Sequence, residues 1–113
     1  MNPSRETRPW GSFTTFTKNQ ESTVKLIYVS AGETLSLQYH MHREEFWKVL
    51  SGHPQLTIGE DVHEASPDDE FTIPAEVKHQ IAAPSDDVVI LEISTGYFDE
   101  DDIVRLEDKY GRV

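Results

Sequence analysis

At 113 residues and 12.9 kDa, the chain has the length of one domain, expected as a single unit over 1–113. Ten Lys+Arg against 21 Asp+Glu leave a formal charge of −11, which excludes the basic surfaces that nucleic acid and anionic membranes demand. The absence of cysteine excludes disulfides, thiolate nucleophiles and sulfur-rich zinc sites; with no apolar run approaching the ~20 residues of a membrane helix and no h-region in MNPSRETRPW, a cytoplasmic protein without nucleic-acid or membrane partner is expected.

The hydrophobic pattern has period two, the mark of half-buried strands. Ser12–Thr17 and Thr23–Val29 read as a hairpin across KNQES, with Val24, Leu26 and Tyr28 on one side of the second strand. Ala31-Gly32-Glu33 turns the chain into Leu35–His40, where apolar and polar residues alternate. Glu45–Leu50, Gln55–Ile58, Val62–Ala65, Glu70–Ile73, His79–Ala83 and Val88–Ser94 follow, separated by Gly-, Pro- and Asp-rich turn signals. So many short strands at close spacing predict an all-β antiparallel sandwich or barrel. The tail differs: Ile103, Leu106 and Tyr110 lie at helical spacing, acids fill the first turn and Gly111 follows, so a short C-terminal helix is expected over Asp99–Tyr110.

The chemistry-bearing residues lie at defined spacings: Gly32-x5-Gln38-x-His40-x4-Glu45-x6-Gly52, then Asp68-x5-Pro74-x-Glu76-x2-His79. In a strand, residues i and i+2 share a face, so Gln38 and His40 project together, with Ser36 beside them. Two imidazoles, a carboxylate and an amide oxygen on adjacent strands can converge on one divalent cation in a barrel mouth. Such mixed N/O donors suit zinc, manganese, iron, cobalt or nickel alike. His53 and His63 fit no such spacing and read as surface residues.

This spacing resembles the first motif of the cupin superfamily, with Gln38 in place of a histidine. The resemblance implies a double-stranded β-helix, the cupin jelly-roll barrel, and metal ligation by Gln38, His40, Glu45 and His79. Asp68 and Glu76 stand where the second motif has glycines. Longer strings resemble one cupin family, the type II mannose-6-phosphate isomerases, a domain also found at the C-terminus of bifunctional mannose-1-phosphate guanylyltransferases. They are Arg8-Pro9-Trp10-Gly11; Leu35-Ser36-Leu37-Gln38 with His40, His42, Arg43, Glu45 and Trp47; Ile73-Pro74 with His79; Glu92; and Gly96-Tyr97 through Tyr110-Gly111-Arg112. Phe46, Gln80 and Ala83 depart from the family pattern, where His, Arg and Asn are usual.

The resemblance implies interconversion of mannose 6-phosphate and fructose 6-phosphate with one divalent cation as the sole cofactor and a small-molecule sugar phosphate as the partner. Metal would polarise the sugar carbonyl and a positioned base would shuttle a proton between C1 and C2. Glu92, His42 and Glu45 are the candidates for that base. Arg43, Lys78, Arg105 and Arg8 are the candidates for substrate phosphate, with Trp47 and Ser36 lining the cavity. Competing readings are a non-catalytic metal- and sugar-binding cupin and a cupin enzyme acting on another small polar metabolite. A homodimer is expected, with Ser12–Thr17 and an outward Phe46 as contacts covering a sheet edge.

Overall fold

The structure is a computed structural model that describes residues 2–112. It is all-β, and every pairing between named strands is antiparallel. An N-terminal hairpin joins β1 (Ser4–Arg8) to β2 (Gly11–Thr15). The body packs two sheets face to face. One has the order β3 (Ser22–Val29), β10 (Val88–Thr95), β5 (Glu44–Ser51), β8 (Glu70–Ile73). The other has the order β11 (Val104–Glu107), β4 (Leu37–Tyr39), β9 (His79–Ala82), β6 (Gln55–Ile58), β7 (Asp61–Glu64). This is the antiparallel barrel expected from the strand pattern, with the jelly roll that the resemblance implied.

Strand alternation decides what the barrel encloses. Across β10 and β5, Ile90 faces Val49, Glu92 faces Trp47 and Ser94 faces Glu45, all of them buried. At the Ile90–Val49 end these side chains join Val29, Leu56, Ile73, Ile81, Ala83 and Val88 in an apolar core. At the other end of the same strands the interior turns polar, with Ser36, His40, Arg43, Glu45, His79 and Glu92 all buried. Buried polar groups are costly unless partnered, which makes this second end the candidate site.

Two turn positions fix the approach of the strands. A Cβ on Gly52 would lie 2.2 Å from the Asp87 carbonyl oxygen, and its φ of +82° is open to glycine at little strain. Asp68 and Glu76, which stand where the cupin pattern has glycine, both keep positive φ, +76° and +68°. The backbone there retains the glycine conformation without the glycine, a strain of roughly 1–2 kcal/mol per residue. The Glu76 N–H is donated to the His40 carbonyl at 2.7 Å, tying that turn to the site.

Three expectations are corrected. Ser12–Thr17 does not pair with Thr23–Val29; β2 pairs with β1, and β3 pairs with β10 instead. The SRETR of β1 has no apolar alternation to announce it; only the two-residue turn Pro9-Trp10 aligns it with β2. Phe46 is no free contact surface, because it is 2% exposed and packs on Phe16 of its own chain, ring centres 5.4 Å apart. The C-terminal helix is absent: the chain turns at Asp99–Ile103 and then runs as β11 along the edge of β4. The stripe that suggested a helix has nothing to bury, since Leu106 and Tyr110 stay exposed. Meanwhile the Asp99 carboxylate accepts from the Asp101 N–H, and the edge of β4 offers backbone partners a helix would leave open.

Candidate metal centre

His40 ends the segment that carries β4, Glu45 is the second residue of β5 and His79 opens β9, so three strand ends deliver three side chains to one point. His40 Nε2 lies 3.2 Å and His79 Nε2 3.1 Å from the same oxygen of Glu45, and all three residues are buried. One donor atom from each lies within 4.8 Å of the others.

Hydrogen bonding sets the character of those atoms. His40 Nδ1 is 2.7 Å from the Asp102 carbonyl and His79 Nδ1 is 3.0 Å from the Val77 carbonyl. A carbonyl only accepts, so each Nδ1 carries the hydrogen and each ring turns its Nε2 inward. Arg43 Nη2 lies 3.2 Å from His40 Nε2, and a guanidinium only donates, so that Nε2 is an acceptor. Glu45 Oε1 is buried without a hydrogen-bond partner. Two imidazole nitrogens and one carboxylate oxygen, close together and buried, fit a divalent cation with N/O preference, which these residues would hold.

Glu45 and Glu92 face each other with opposite character. Burial opposes ionisation of Glu45, yet its contacts with His40, His79 and Glu92 hold its carboxyl well below the ordinary carboxylate range. Burial pushes Glu92 up to about 9, reinforced by Glu45, while Lys25 and Arg43 pull it down. A neutral Glu92 therefore sits beside an ionised Glu45. Trp47 Nε1 donates to Glu92 Oε2 at 3.3 Å and fixes its orientation.

These groups line a cavity of about 200 Å³. It is smaller than the ~300–1,000 Å³ sites of drug-sized ligands and suits a small polar metabolite. Ser36, Gln38, Arg43, Trp47, Glu92 and Arg105, all singled out in the sequence, share its wall. Gln38 lies opposite His79 in register, but its amide oxygen accepts from Ser36 Oγ at 2.7 Å. The three remaining expectations lie elsewhere. His42 is exposed outside the cavity, because the strand does not persist past His40. Lys78, one step out of phase with the inward His79, pairs with Glu60 at 2.9 Å. Arg8 lies on the N-terminal hairpin, paired with Glu6 and stacked over Phe13.

Lys25, Glu100 and Ile103 also line the cavity and were not anticipated. The signal for Lys25 was parity. Val24, Leu26 and Tyr28 form the exposed side of β3, which leaves Lys25, Ile27 and Val29 pointing in. Asp102 was legible only as a charge favouring a helix start. Its carboxylate accepts from the Met41 and His42 N–H groups at 2.9 and 3.0 Å, and chiefly the first of these holds it below the ordinary range. Its own carbonyl meets His40 Nδ1, so this one residue pins both the loop and the ring of His40. Asp102→Ala, which keeps that carbonyl but releases the Met41 and His42 amides, is expected to weaken divalent-cation binding roughly 10-fold, the low end of an outer partner's effect, measured by competition with a chromophoric chelator.

With this geometry in view, the family is decided by comparison. Residues 2–108 match the family model described as "Mannose-6-phosphate isomerase C-terminal". The chain belongs to that family. It is 43% identical over 107 residues to the xanthan biosynthesis protein XanB of Xanthomonas campestris pv. campestris, covering 93% of this chain and 23% of that protein. It is 38% identical over 108 residues to the mannose-1-phosphate guanylyltransferase ManC of Salmonella typhimurium, covering 94% and 22%. The chain thus spans under a quarter of the length of these curated relatives. Among solved structures, a cupin protein from Bacteroides fragilis is 29% identical, with a TM-score of 0.61 over 75% of this chain and 79% of its own. The family model and these relatives place the chain among proteins of sugar-phosphate metabolism with a cupin fold.

Proposed function

We propose that the chain catalyses a metal-dependent isomerisation of a sugar phosphate, with mannose 6-phosphate and fructose 6-phosphate as substrate and product. The observation that carries the reading is the convergence of His40 Nε2, Glu45 Oε1 and His79 Nε2 on one floor, beneath walls bearing a neutral Glu92 and the cations Lys25, Arg43 and Arg105. When bound, a divalent cation supplies Lewis-acid polarisation of the sugar oxygens. Gln38 and Ser36 offer polar contacts to sugar hydroxyls, and Arg43 and Arg105 offer charge to the phosphate.

One carboxyl closes the proton balance. Glu92 gives its proton to the carbonyl oxygen at C1, and the resulting carboxylate takes the proton from C2. The same group returns a proton to C1 and takes the hydroxyl proton from O2, which regenerates its starting form. Glu45, buried and ionised, is the anchor for the cation rather than the proton carrier. The names of the family and of the mannose-1-phosphate guanylyltransferase relative support the mannose-phosphate substrate. The bare apolar stripe of Val24, Leu26 and Tyr28 on β3 supports a homodimer, and the absence, among the described residues, of any helix that could cross a membrane fits the expected cytoplasmic protein.

The test is turnover of mannose 6-phosphate, coupled to detection of fructose 6-phosphate, before and after chelation. Turnover lost on chelation and restored by one of the candidate cations is the expected result. A chain that binds metal and sugar phosphate but turns nothing over is a binding module, and the isomerase reading fails.

A further inference from the structure

Arg43 stands in the turn before β5, three residues after His40, and its guanidinium is committed to partners inside the chain. Nη2 lies 3.2 Å from His40 Nε2, Nη1 donates to the Asp99 carbonyl at 3.1 Å, and the guanidinium carbon is 4.3 Å from the centre of the Phe98 ring. At 7% exposure, these contacts rather than solvent decide where the charge rests. The metal centre does not require the first of them. It falls on the same nitrogen that His40 turns toward Glu45 and His79.

An imidazole nitrogen that accepts has a single lone pair. Arg43 donates into the one on His40 Nε2, and a divalent cation bonds through the same pair at ~2.0–2.1 Å. The two cannot use it together. Their charges also repel, and burial removes much of the water that would screen them. The remaining contacts of Arg43 show where it goes. Phe98 and Asp99 belong to the segment joining β10 to β11, and that segment also holds His40 from behind, through the Asp102 carbonyl at Nδ1. A guanidinium that leaves Nε2 keeps the ring and the Asp99 carbonyl, so it is not stranded as an unpaired buried charge.

We propose that Arg43 is an internal competitor at the metal centre: it holds the His40 Nε2 lone pair until a divalent cation displaces it, and it then rests on Phe98 and Asp99. The proposal rests on reading His40, Glu45 and His79 as metal ligands and needs no particular substrate. The site therefore binds its cation more weakly than the three ligands alone would. Occupancy is also felt by the segment joining β10 to β11, because the residue that yields to the cation is anchored there. By reciprocity, a change that draws Arg43 onto that segment tightens the cation.

Zinc is the probe, titrated into the full chain by competition with a chromophoric chelator while NMR follows the Arg43 guanidinium. The Nη2 proton held by His40 should exchange slowly with water before zinc and rapidly at saturation. Arg43→Met should tighten zinc binding roughly ten-fold or more, since it removes both the donor and the charge. Arg43→Lys keeps the charge but loses the fork that bridges His40 and Asp99, and should tighten it roughly two- to five-fold. An Arg43→Lys affinity equal to that of the unmodified chain would mean that the charge acts through space alone, and would overturn the competitor. So would an Nη2 proton unchanged at zinc saturation, or an Arg43→Met chain that binds zinc no more tightly. In each of these cases zinc is still bound, so the metal centre stands. Zinc bound by neither the unmodified chain nor Arg43→Met would overturn the metal centre and the competitor together. The thermal midpoint of each variant is recorded beside its binding curve, and Arg43→Lys with the Nη2 proton keeps the test decisive should Arg43→Met unfold.

Discussion

Replacing Glu45 by Gln should lower affinity for a divalent cation by more than roughly 100-fold, beyond the range that outer-shell partners reach. The substitution keeps the shape of the side chain and removes its charge, so loss of binding would report on ligation rather than on packing. His40 and His79 turn Nδ1 to the Asp102 and Val77 carbonyls, and an imidazole carries no negative charge, which leaves Glu45 as the only anion of the three. Without it, a dication would enter a buried site with no countercharge on its ligands, and desolvation would go unoffset. Turnover should fall in parallel at fixed metal concentration. The metal-free Glu45→Gln chain should unfold at a lower temperature than the unmodified metal-free chain, because the contacts with His40, His79 and Glu92 that hold the Glu45 carboxyl below the ordinary range favour its charge in the folded state. Metal analysis after gel filtration checks the first statement and differential scanning calorimetry the second. Undiminished metal content in the Gln variant would show that the three residues form a structural polar cluster.

The barrel was legible because period-two alternation is a local signal, and the candidate metal-ligating trio because its spacing resembles a cupin motif. Glu45 and His79 are 34 positions apart, yet each is the inward residue at the start of a strand, and the cupin-like spacing selects Glu45 over Glu44 and His40 over His42. What stayed hidden depended on partners remote in sequence. The tail carries acids and apolar residues that would suit a helix in isolation, but its fate is set by the open edge of β4 about 65 positions upstream and by the Met41 and His42 amides that Asp102 engages. A helix needs a surface for its apolar stripe, and none is left there. Lys25 was missed for a related reason. β3 carries apolar residues on both faces, so alternation alone does not say which side is inward, and only pairing with β10 resolves it. The cationic wall of the cavity is thus assembled from β3, the turn before β5 and β11, three segments whose neighbourhood no local pattern reveals.

Glu92→Gln should reduce turnover roughly 10²- to 10⁴-fold, the contribution of a positioned acid or base, while leaving the metal in place. The same variant makes a separate prediction on stability, whose sign follows from the carboxyl's environment. Burial, with Glu45 as neighbour, raises the folded-state pKa of Glu92 to about 9 from an ordinary value of 4.5. The folded chain therefore keeps a proton that the unfolded chain has released in the interval between those values. The stability linked to that proton is fully present below the unfolded value and is lost as the pH climbs toward 9. Glu45 acts in the opposite sense, since its depressed pKa gives a contribution lost only on acidification below the ordinary carboxylate range. The two windows do not overlap, so the metal-free protein should lose thermal stability from about pH 5 to pH 9 through Glu92. Glu92→Gln, neutral at every pH, should flatten that decline and melt higher than the unmodified chain at the alkaline end. A variant that loses turnover and also loses its pH-dependent melting shows one carboxyl doing both: held neutral by the barrel, and for that reason available to give a proton to a sugar oxygen. A variant that loses turnover while its melting still declines with pH would place the titrating group elsewhere, and the acid assigned to Glu92 would have to be sought among the other residues of the cavity.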